Sequence, residues 1–132
     1  MATNLPDAMR MREIKYGAKT TPKLQSTTAR LLLEGGRLAE ALSLMLLADD
    51  KAGIAELRER ALTEGRLVLL NMLRRRHHEI SAADWNRAGA AAEAAGRPRE
   101  AYRCYLEARN DAALEALKKS LPDYEIFIPQ GK

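Results

Sequence analysis

Cysteine occurs once in the 132 residues, at Cys104, which excludes an internal disulfide and leaves no cysteine cluster to hold zinc. β-Branched aliphatic residues are nearly as scarce. One Val and five Ile stand against 23 Ala and 20 Leu, a balance that starves any sheet and favours helix. No apolar run approaches the roughly 18 residues of a membrane span. The opening MATNLPDAMR also lacks the apolar stretch of a secretory signal, so the expectation is a cytoplasmic protein with no membrane partner. What remains is a 14.7 kDa chain, long enough for one hydrophobic core and short for two.

The net charge of +4 is modest, but its distribution is uneven. Residues 1–30 carry six Lys or Arg against Asp7 and Glu13, and residues 66–78 carry Arg66, Arg74, Arg75 and Arg76 with no acid. Residues 31–65 hold seven acids against four bases, and 79–120 hold seven of each.

Turn and cap residues cut the chain into amphipathic segments too short to be stable alone, so packing must hold them. A first helix is predicted from Pro6 and Asp7 to Tyr16, docking through Met9, Ile14 and Tyr16 and stopped by Gly17. Thr21 before Pro22 reads as an N-cap opening a helix that reaches Gly35 and Gly36. Later helices are predicted over about 37–48, 51–64, 66–76, 82–95, 98–108 and 110–120. Asp49 and Asp50, Ser81 with Asp84, and Asn110 with Asp111 supply caps, and Leu67–Leu70 with Met72 and Leu73 suggest a helix packed on more than one side.

Gly-Arg recurs at 36/37, 65/66 and 96/97, each time between two predicted helices. Sliding residues 36–57 forward by sixty matches eight of 22 positions, among them Gly36 with Gly96, Arg37 with Arg97, Glu40 with Glu100 and Leu57 with Leu117. Helix-turn-helix units at such a period read as a solenoid, because a hairpin with two apolar sides needs a neighbour on each. The predicted fold is therefore all-α: a short right-handed superhelix of about three hairpins (22–48, 51–77 and 82–108), a capping helix at 110–120 and an extended tail over 121–132. One helical-repeat domain would span residues 1–120.

Around the third unit, Trp85, Gly89, Gly96, Ala101, Tyr105 and Ala108 fall at the spacing of a tetratricopeptide repeat, which the chain resembles over roughly residues 22–120. The first unit keeps Gly36, Ala41, Met45 and Ala48 but has Gln25 at the place of the bulky residue. The unequal spacings of 29 and 31, with Ala113 where a proline would stand, also resemble coatomer-type α-solenoids. The resemblance implies a non-catalytic adaptor or scaffold that holds a protein or peptide segment in its concave face. Carried over by position, Lys23, Ser26 and Arg30 of the first unit and Asn86, Ala90 and Glu93 of the third would line that face.

The rival expectation is a nucleic-acid or other polyanion binder using Arg10, Arg12, Lys15, Arg74, Arg75 and Arg76, within the basic zones 10–30 and 66–78. The plainer reading of Arg74–His78 is a helix C-terminus, where cations complement the dipole. Adjacent histidines point about 100° apart on a helix, so His77 and His78 make a poor chelating pair and no metal or cofactor is expected. Met9, Met11, Met45 and Met72 read mostly as core filling, and Cys104 as buried and inert. In the tail, Tyr124, Ile126, Phe127 and Ile128 form a strand-like pattern that could seat in a groove or join two copies.

Overall fold

The computed structural model describes residues 5–120, which form eight helices and, among those residues, no strand. In order they are α1 (Ala8–Tyr16), α2 (Pro22–Glu34), α3 (Leu38–Ala48), α4 (Lys51–Glu64), α5 (Leu67–Arg75), α6 (Ala82–Ala94), α7 (Pro98–Ala108) and α8 (Asp111–Ser120). The chain divides into two compact units, Met1–Arg58 and Glu59–Lys132, the division falling inside α4. The strand-like pattern of Tyr124, Ile126, Phe127 and Ile128 lies outside the described residues, as does any contact made by that tail.

Local chemistry starts the helices where the cap residues indicate. Thr21 Oγ1 accepts from Leu24 N at 3.1 Å ahead of Pro22, whose missing N–H costs nothing in the first turn. Ser81 and Asp84 make a reciprocal capping box, and Asp50 and Asn110 accept from Gly53 N and Ala113 N. Asp49 is not a cap of α4. It closes α3 instead, in the left-handed conformation with φ 54°.

In the first unit α2 and α3 form a helical hairpin; in the second, α6 and α7 do, with α8 packed on α7. The helix bounds of the two hairpins differ by sixty residues throughout. So do their turns: Gly36 and Gly96 both have φ +79°, and Asp49 and Arg109 both end their hairpins in the left-handed region. Burial follows the same register, with Gln25, Thr28, Ala29 and Leu32 of α2 answered by Trp85, Ala88, Gly89 and Ala92 of α6. Small residues bring α6 and α7 close: a Cβ on Gly89 would stand 2.7 Å from the Tyr105 ring.

Two expectations about apolar faces are corrected. α1 docks through Met11 and Ile14, while Met9 is 78% and Tyr16 70% exposed. α5 buries Leu69, Leu70 and Leu73 but leaves Val68 exposed, so its apolar run is not enclosed all round. Of the methionines, Met11 and Met45 fill core and Met9 does not.

Candidate functional site

The Gly-Arg pairs are structural clasps. Glycine takes the positive φ that ends one helix, and the arginine that follows stands at the N-cap of the next, where it has no acceptor to offer the helix. Its guanidinium turns aside instead. Arg37 binds both carboxylate oxygens of Glu40, with Nη2 at 2.7 Å from Oε2, and donates from Nη1 to the carbonyl of Pro6 at 3.2 Å. Arg97 repeats this with Glu100 at 3.0 Å, the Gly65 carbonyl at 3.0 Å and the Glu64 carbonyl. Arg66 departs from the pattern, pairing with Glu64 at 2.9 Å.

Gly65 sits against α6: a Cβ there would lie 2.5 Å from Ala92 N and 2.6 Å from Ala88 O. The position of the bulky repeat residue has two solutions. Trp85 is buried, with the Arg74 guanidinium 5.2 Å from its ring centroid. Gln25, equally buried, donates from Nε2 to the carbonyls of Ile14 and Lys15 at 3.3 and 3.2 Å, holding the end of α1. No buried side-chain polar atom among the described residues is left without a partner.

The six groove candidates share one feature: all lie off the buried stripe of their helices. Lys23 and Ala90 are exposed, Ser26 and Asn86 half-buried. Arg30 pairs with Glu56 at 2.7 Å, which raises its pKa; Asn86 accepts from Asn110 at 2.8 Å, and Glu93 accepts from the Tyr105 hydroxyl at 2.9 Å. Three of the six are thus already engaged within their own unit. The first three belong to one unit and the last three to the other.

The basic candidates fare unevenly. Arg74 is committed to Trp85, to Asn71 Oδ1 at 2.9 Å and to Glu107 at 2.7 Å, and Arg10 pairs with Glu13 at 3.3 Å. Lys15 is half-buried, while Arg12, Arg75 and Arg76 are exposed. Arg74 and Arg75 occupy the last turn of α5 and Arg76 its C-cap, so the helix-terminus reading describes where they stand. His77 follows in the left-handed region.

Titratable groups follow their neighbours. The Arg37 guanidinium holds Glu40 below the ordinary carboxylate range; Arg87 does the same to Glu59, and Arg60 with Arg66 to Glu64. Burial, reinforced by Glu100 and Glu107, pushes the Cys104 thiol up to about 11. Burial and the bond to Glu93 push Tyr105 up to about 12. Among the described residues no group of three or more His, Cys, Asp or Glu side chains could hold a metal, and no helix is long and apolar enough to cross a membrane.

Compared with models of protein families, with curated proteins and with solved structures, the chain matches none. Its class therefore rests on its own internal correspondence: an all-helical protein whose hairpins recur at sixty residues, compatible with a helical-repeat fold.

Proposed function

We propose that this chain is a cytoplasmic, non-catalytic interaction module of tetratricopeptide-like character. Its hairpins stack as a right-handed superhelix, and the first helix of each hairpin offers its free face to a peptide or a segment of a partner protein. The observation that supports this reading is the common register of α2 and α6. The stripes formed by Gln25, Thr28, Ala29 and Leu32 and by Trp85, Ala88, Gly89 and Ala92 are buried. Lys23, Ser26 and Arg30, and Asn86, Ala90 and Glu93, lie off those stripes, with Arg30, Asn86 and Glu93 bonded within their own units.

The test is a selection of displayed linear peptides, followed by affinity measurements at about 50 and 500 mM salt, a range over which phosphate contacts weaken steeply. Ala90→Arg is the diagnostic variant, since Ala90 is exposed and the change leaves the core intact. The expected result is peptides whose affinity falls about tenfold or more with Ala90→Arg, the size of loss seen when a central contact is blocked, and which respond weakly to salt. Failure to recover such peptides, together with RNA binding that collapses at high salt, would move the function to Arg12, Arg75 and Arg76.

A further inference from the structure

α1 has an outer face that the repeat reading does not use. The helix buries Met11 and Ile14. At 100° per residue, Met9, Arg12, Glu13 and Tyr16 fall together on the opposite side. Met9 and Tyr16 are the most exposed of the large hydrophobic residues described, ahead of Val68 and well beyond Leu106 and Leu31. Methionine, arginine and tyrosine side by side are the residue types enriched where proteins meet, because they bring large contact area with a polar or charged handle.

Next to this stripe is a cavity of about 260 Å³, lined by Gly17, Ala18 and Leu24 together with Arg10, Glu13 and Lys19. Its walls combine apolar surface able to take a side chain with cations able to hold a carboxylate. Charge points the same way. The two acids of the α1 segment itself have partners there, Asp7 accepting from Arg10 N at 2.9 Å and Glu13 pairing with the Arg10 guanidinium. Arg12 and Lys19 are exposed and have no ion pair among the described residues.

We propose that the outer face of α1 docks an acidic amphipathic segment of a partner protein. That segment lays its apolar side over Met9 and Tyr16 and brings carboxylates to Arg12 and Lys19. A helix presenting anchors at i, i+3, i+4 and i+7 has the right spacing for a two-anchor stripe seven residues long. A lipid surface or a nucleic acid fits less well, because Met9 and Tyr16 occupy the centre of the face and Arg12 only its edge, so a continuous field of phosphates would meet apolar surface where it needs cations.

The experiment is selection from a displayed library of helical peptides with acidic, basic and apolar choices at each varied position, followed by binding measurements on the full chain. The expected outcome is acidic sequences with an apolar stripe, each losing about tenfold or more in affinity on Met9→Ser, Tyr16→Ser or Arg12→Glu. All three positions are exposed, so circular dichroism of the variants should be unchanged. The same peptides should bind Ala90→Arg as they bind the parent, which separates this surface from the face of α2 and α6. Basic or neutral winners, winners indifferent to Met9→Ser and Tyr16→Ser, or binding of phosphatidylserine vesicles or polyuridylate with no acidic peptide recovered, would each overturn the proposal.

Discussion

Arg97 donates from Nη1 to the carbonyl oxygen of Gly65 at 3.0 Å, so the arginine of one Gly-Arg pair grips the glycine of the pair before it. The same guanidinium also holds Glu100 and the Glu64 carbonyl. Charge-assisted bonds of this kind are stronger than neutral ones, and losing the donor leaves carbonyls behind. Arg97→Ala is expected to lower stability by about 2 kcal/mol in urea unfolding, and Arg97→Lys to restore only part of it, since an ammonium cannot span the forked geometry. Equal midpoints for Arg97→Ala and the parent would remove the clasp as a stabilising device.

Gly65 and Gly96 both carry positive φ, but only Gly65 is pressed against backbone. Gly96→Ala should therefore cost about 1 kcal/mol, the conformational penalty alone. Gly65→Ala must in addition move the backbone of α6 at Ala88 and Ala92, and about 3 kcal/mol or more is expected. The pair is best compared by thermal unfolding in one buffer, where matched losses would contradict the close approach.

Gln25→Leu keeps volume and removes the donor to the Ile14 and Lys15 carbonyls. A loss of about 1 kcal/mol is expected from stranding the Lys15 carbonyl, since the Ile14 carbonyl keeps its bond from the Thr20 hydroxyl. Amide exchange should rise in α1 more than in α2, because the last turn of α1 is what the bond secures. Exchange rates in α1 that stay at parental values would show that Met11, Ile14 and the Thr20 bond hold the helix without Gln25.

Acid should destabilise the protein through a few identifiable pairs. Glu40, Glu59 and Glu64 have folded-state pKa values lowered from the ordinary 4.5 by their arginine partners. The unfolded chain then binds protons first as pH drops. The stabilisation is whole above about 4.5 and is lost as pH falls through the lowered folded values. The melting temperature should decline between about pH 5 and 3, less steeply at high salt, and Glu59→Gln should flatten the decline. A melting temperature indifferent to pH over that interval would contradict the assignment.

Features set by residues three or four apart were legible in the sequence. The capping box of Ser81 and Asp84, the Thr21 cap and the sixty-residue recurrence all depend on short-range chemistry or simple periodicity, and all are present. The roll of α1 was not legible. Apolar residues at 9, 11, 14 and 16 define two opposed faces, and the choice of Met11 and Ile14 goes with bonds from Thr20 and Gln25 to the helix end. Gln25 itself looked like a missing bulky residue, because its acceptors lie ten and eleven positions away. Arg74 could be placed at a helix terminus from sequence, but Trp85 and Glu107 reach it from other helices. The two compact units likewise left no mark in composition.

The clasp made by Arg37 and Arg97 reaches across to main-chain oxygens, which every amino acid possesses. At Pro6 and Glu64 the latch is therefore indifferent to the side chain, whereas at Gly65 the contact with α6 still excludes one. A fastening to main chain reads the path of the backbone rather than the letters at its far end, so substitutions at Pro6 or Glu64 that leave that path alone should leave the bond in place.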